Sequence, residues 1–201
     1  MIRSLLISAT LAATLAVATP ALAANRLIVP NVSVAVAKSA MMVTADREWN
    51  KLGARPGPLA ESWTLDGDVL NRLSFYGGLI NGATLFREVD RKNRPLPKVR
   101  ADMLPTDIPA LFEQSYRIAE NSGLFSVDSI EPASIGGASG VRFTYSFSKQ
   151  GEDVARKGEA VAAMVGGKLW LISFEAPTLH YFDAGITSAR AIMASVRLPA
   201  K

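Results

Sequence analysis

The side chains that do chemistry are scarce in this chain. Its 201 residues include one histidine, His180, and no cysteine. Thiol redox chemistry, cysteine nucleophiles and thiolate metal sites are thereby excluded. Zinc and the late transition metals want histidine, cysteine or grouped carboxylates, so no metal site is expected. Asp66 and Asp68 flank Gly67 in a turn and lack the other positions of a calcium loop. A serine hydrolase would need His180 as its base. His180 and Asp183 stand three apart at a helix start, but no serine occupies a Gly-x-Ser-x-Gly elbow. Gly137-Ala138-Ser139-Gly140 approaches that pattern only loosely and leads into a strand. Glu159 and Glu175 flank an apolar hairpin, and two carboxylates suffice for glycoside cleavage. Glu159 sits beside Arg156 and Lys157, so a surface ion pair is its expected role. The glycine pairs 77–78, 136–137 and 166–167 do not lead from a strand into a helix, as a phosphate cradle requires. No catalytic residue is assigned, and no cofactor is expected.

Binding chemistry is better represented. The segment 87–100 carries Arg87, Arg91, Lys92, Arg94, Lys98 and Arg100 against only Glu88 and Asp90, with Pro95 and Pro97 among them. It reads as an exposed loop able to dock lipid headgroups, lipopolysaccharide phosphates or an acidic protein. Trp63, Phe75, Tyr76 and Phe86 precede it, and Trp63 and Tyr76 join the six cations as candidate ligand or partner contacts. The same aromatics motivate a second reading, a carrier for a small apolar or lipid-like ligand. A net charge of +4 is too mild to argue for nucleic acid.

Several elements must position these residues. Arg3, an uncharged apolar run from Leu5 to Val17 and the small-residue site Ala21-Leu22-Ala23 read as a secretory signal peptide cleaved after Ala23. Residues 24–201 then form a single domain, with no transmembrane segment. Val32, Val34 and Val36 alternate as in a strand, and Met41–Val43 suggests a second. Ser62–Gly67 reads as a strand ending in an Asp-Gly turn, with Val69–Phe75 returning. A helix with Thr106 as its N-cap follows, and Asn121-Ser122-Gly123 stops it. The next strand starts at Phe125 and ends at Pro132 and Gly136-Gly137. Val141, Phe143, Tyr145 and Phe147 mark a half-buried strand, and Val154–Val165 returns from it. After the Gly166-Gly167 turn, Leu169–Phe174 is apolar enough for the centre of a sheet. Residues 180–196 form the last helix, with Gly185 weakening its first turn.

Gly140-Val141-Arg142-Phe143, the return strand through Arg156, Gly167-Lys168-Leu169-Trp170-Leu171-Ile172 and the closing helix ending Ile192-Met193-Ala194-Ser195-Val196 resemble the second half of the Mog1/PsbP-like fold. That resemblance implies an α+β domain, an antiparallel β-sheet covered by helices. It also implies an accessory or interaction role, because the family shares no catalytic centre. The expected protein is therefore an exported, periplasmic accessory or interaction protein without catalytic activity. Its partner would be a protein or an anionic envelope component. The carrier and a carboxylate- or His180-dependent hydrolase stand as alternatives.

Overall fold

The computed structural model describes residues 25–199, so the expected signal peptide lies outside the described residues. Eight antiparallel strands form the main sheet, and five of their pairings join strands that follow one another in the chain. In chain order the strands are β1 (Arg26–Ile28), β2 (Ser33–Ala35), β3 (Met42–Thr44), β4 (Trp49–Lys51), β5 (Ala60–Thr64) and β6 (Arg72–Leu79). Helix α1 (Ile108–Ala119) follows, then β7 (Leu124–Ile135), β8 (Ala138–Ser148), β9 (Arg156–Val165), β10 (Lys168–Pro177) and helix α2 (Tyr181–Ala194). The sheet runs β1-β4-β5-β6-β10-β9-β8-β7, and β2 pairs with β3 in a separate ribbon. This is the α+β architecture expected: a large antiparallel sheet with a helix on each face.

Period-2 alternation divides the apolar side chains into two cores. Trp170, Ile172 and Phe174 of β10 pack with Ile186, Ala189 and Met193 of α2 and with Trp49, Trp63 and Phe75. Leu169 and Leu171 face the other way, toward Phe112 and Tyr116 of α1 and the aromatic row Phe143, Tyr145 and Phe147. Strand β10 is buried on both faces, which is why its sequence is continuously apolar. The Gly166-Gly167 turn takes φ values of 58° and 69°, the left-handed pair that a two-residue hairpin demands.

Four expectations need correction. Pro132 does not end its strand, because β7 is an edge strand and a proline there forfeits no ladder bond. The return from the Asp-Gly turn starts at Arg72, not Val69. Asn71 Oδ1 holds the longer connection by accepting from Leu65 N at 2.7 Å and Thr64 Oγ1 at 2.9 Å. Thr106 is not the N-cap; a 3-10 turn, Pro105–Asp107, precedes α1, and Asp107 Oδ2 accepts from Leu104 N at 3.0 Å. Gly185 is a packing requirement more than a weakness, since an added Cβ would lie 2.5 Å from Phe174 Cζ.

Candidate functional site

A row of polar side chains crosses the α1 face of the sheet. The strand register aligns Tyr145 on β8 with Gly158 on β9, Gly158 with Glu175 on β10, and Glu175 with Arg72 on β6. Gly158 has no side chain, so the Tyr145 ring lies directly over β9, where any Cβ would collide with it. The Tyr145 hydroxyl thereby comes 3.5 Å from Glu175 Oε2. From α1, the Tyr116 hydroxyl donates to the same carboxylate oxygen. Arg72 donates from Nη2 to Glu175 Oε1 at 2.8 Å and from Nε at 3.2 Å. Its Nη2 also reaches Glu120 Oε1, just past the end of α1, at 3.1 Å. Lys149 Nζ lies 3.7 Å from the second oxygen of Glu120.

Burial decides the protonation of this row. Desolvation, reinforced by the Glu175 carboxylate, pushes the Tyr116 and Tyr145 hydroxyls well above the ordinary tyrosine range, so both remain donors. Burial works against the Arg72 charge as well. Glu175, with Glu120 behind it, outweighs it and holds the guanidinium protonated beyond its usual range. The row is thus an ion pair wrapped in fixed donors, and its polar atoms are used on one another.

Above Arg72 and Glu120 the surface opens into a cavity of about 260 Å³. Arg55 enters it from the β4–β5 connection and Arg87 from the basic segment, while Leu52, Pro56 and Phe86 supply apolar wall. The mouth is fixed by Arg87 N donating to Pro56 O at 2.8 Å.

The sequence-predicted contacts are separated by the fold. Trp63 is 0% exposed and Tyr76 1% exposed, so both are core residues on opposite faces of the sheet. Strands β5 and β6 are interior strands buried on both faces, which takes Trp63 on β5 and Phe75 and Tyr76 on β6 into the core. Arg87, Arg91, Lys92, Arg94, Lys98 and Arg100 are all exposed. Beneath them Leu85, Phe86, Leu96 and Val99 are buried against the α1 face. Gly82 N donates to Val99 O and Val99 N to Ala83 O, each at 2.8 Å, so the end of the segment is stitched to the chain just before its start. Arg94 Nη2 donates to Ile118 O at 3.2 Å, and Arg91 pairs with Glu88 at 2.9 Å.

Glu159 and Glu175 do not form a pair. Adjacent strands place them on opposite faces: Glu159 registers with Phe174 on the α2 side, whereas Glu175 faces α1. Glu159 is 1% exposed, not a surface residue, and its partners are Arg190 at 2.6 Å and Arg142 at 3.5 Å, not Arg156 or Lys157. His180 is exposed at the start of α2 with φ 66°. Among the described residues no group of three or more His, Cys, Asp or Glu side chains could hold a metal ion.

Sequence reasoning missed Arg72, Tyr116 and Arg55, and named Glu175 only as one half of a pair with Glu159. One signal was available for the row: Gly158, a lone glycine inside a strand, marks a close approach. Nothing comparable marks Arg55.

No protein-family model matches the chain, and no curated protein matches it. Among solved structures it is similar to cyanobacterial PsbP (CyanoP) from Synechocystis sp. PCC 6803. The identity is 16% and the TM-score 0.49, over 92% of this chain and 98% of that one. A Bacteroides thetaiotaomicron protein gives 11% identity and a TM-score of 0.47 over 80% of this chain; the chain spans 46% of that protein's length. LpqN, involved in cell envelope biogenesis of Mycobacterium tuberculosis, gives 14% and 0.32, covering 89% and 86%. At these values the likeness is one of general strand and helix arrangement, and no activity or partner is taken from it.

Proposed function

We propose that the protein is an exported, periplasmic accessory protein that works without catalysis by holding an acidic partner protein on the segment 87–100. The observation that carries this reading is the mounting of the six cations. They project from a stretch anchored by Leu85, Phe86, Leu96 and Val99, so little chain entropy is left to lose on docking. The internal pairing of the Arg72–Glu175 row supports a structural role for the one concentrated polar group on the α1 face. Among the described residues no helix is long and apolar enough to cross a membrane.

Capture from envelope extract tests the reading. Wild-type protein is expected to retain a partner that elutes with salt, and Lys92→Glu with Lys98→Glu to lose it. Retention unchanged by the charge reversal sinks the docking surface, and binding only to vesicles of anionic lipid replaces the protein partner with a membrane. Export is checked by N-terminal sequencing of periplasmic material, expected to begin at Ala24; recovery solely from the cytoplasm overturns it.

A further inference from the structure

The cavity at the root of the basic segment takes in one of its six cations, Arg87, and leaves the other five outside. Arg55, Arg72 and Arg87 all line it, together with Asp68 and Glu120. Arg72 is already committed to Glu175 and Glu120. Among the described residues, neither Arg55 nor Arg87 has a carboxylate within ion-pairing distance. The Arg55 Nη1 atom is buried and has no hydrogen-bond partner. A buried guanidinium nitrogen without an acceptor is costly unless something supplies one. A planar fork of this kind is matched by a planar, two-oxygen anion.

We propose that this cavity is a binding site for a single carboxylate group, held by Arg55 and Arg87, with its apolar remainder against Leu52, Pro56 and Phe86. Two observations set that class. Asp68 and Glu120 share the wall and oppose a second negative charge, which disfavours a phosphate dianion. The volume of about 260 Å³ lies at the low end for ligand sites and admits only a small acid or one acidic side chain. Arg72 lines the cavity as well, but its charge is already matched by Glu175 and Glu120. The carboxylate has two possible sources, a free small organic acid or an acidic side chain of a docked peptide. Arg87 is common to this site and to the proposed partner surface, whereas Lys92 and Lys98, on which the partner reading is tested, lie outside the cavity.

The test follows the arginine Nε–H resonances of the purified, isotopically labelled protein during titration. The probes are sodium benzoate, benzamide, inorganic phosphate and a short glutamate peptide with blocked ends. Saturable shifts at Arg55 and Arg87 are expected with benzoate or the peptide and not with neutral benzamide. Arg87→Gln, at an exposed position that leaves the fold intact, is expected to weaken binding about tenfold or more, as is Arg55→Gln. Tighter binding of benzoate assigns the site to a free acid; tighter binding of the peptide assigns it to a partner's side chain. The proposal falls if neither carboxylate saturates, if both arginine variants bind as well as wild type, or if phosphate binds as tightly as benzoate. Lys92→Glu with Lys98→Glu is expected to abolish partner capture and leave this titration unchanged, so the two readings fail separately.

Discussion

Glu175 is one carboxylate surrounded by donors, and its loss leaves the Arg72 guanidinium, with a side chain 15% exposed, with Glu120 as its remaining counter-charge. Removing one member of a buried pair costs more than removing both. Glu175→Ala is expected to destabilise by about 1–3 kcal/mol in urea unfolding, and Glu175→Ala with Arg72→Met to recover part of that loss. The tyrosines make a second prediction. Tyr76, Tyr116 and Tyr145 have their ionisation pushed up, first by burial. Above a pH of about 10 the unfolded chain releases these protons and the folded chain keeps them. The native state then binds more protons than the unfolded state, so stability falls as pH rises. Each tyrosine contributes a slope of about 1.4 kcal/mol per pH unit above that point, and Tyr116→Phe is expected to flatten the profile. Urea midpoints collected between neutral and strongly alkaline pH measure both effects; identical slopes in the two proteins would remove Tyr116 from the account.

At the scale of elements, glycines decide how closely strands and helices meet. Helix propensity alone says that Gly185→Ala should stabilise α2 by about 1 kcal/mol. The close approach to Phe174 says the reverse, because an added Cβ must displace a fully buried ring. Gly185→Ala is therefore expected to lower stability by about 1–3 kcal/mol, and a raised melting temperature would show that α2 can shift away. Gly158→Ala acts through the Tyr145 ring lying across β9. It is expected to destabilise at least as much and, in urea midpoints collected up to alkaline pH, to show a shallower fall than wild type, because the ring leaves its buried seat and, with it, Glu175. The basic segment belongs to this scale as well. Its proline content reads correctly as irregular chain, yet Leu96 and Val99 make it part of the α1-side core. A pattern of charges on both sides of two apolar residues cannot reveal that, because the partner surface is built by β6 and α1.

Across the whole molecule, β10 joins the two cores: Ile172 and Phe174 pack on one side, Leu169 and Leu171 on the other. Neither core can open without exposing the back of the other. Thermal unfolding is therefore expected as one transition, with near- and far-ultraviolet dichroism coincident, and separated midpoints would contradict the shared strand. Much of this architecture was written in local pattern. The alternation Val141, Phe143, Tyr145, Phe147, the apolar run at Leu169–Phe174, the Gly166-Gly167 turn and the spacing of Ile186, Ala189 and Met193 each specify a local element through backbone geometry and burial period. The absence of cysteine and the single histidine are likewise properties of the chain alone, and they bound its chemistry before any fold exists. What only the tertiary structure decided is which residues meet. Trp63 and Tyr76 read as candidate contacts and are core, because β5 and β6, which carry them, are interior strands of the sheet buried on both faces. Glu159 and Glu175 look like a pair along the chain and face opposite sides, because antiparallel register and a two-residue period send them apart. Arg72, Tyr116, Tyr145 and Glu175 meet from four elements far apart in sequence, brought together by strand order and by the missing side chain of Gly158. A single sequence records periods and turns; strand order and register are set by the summed packing of two cores, and the polar row and the arginine-lined cavity exist only once that packing is complete.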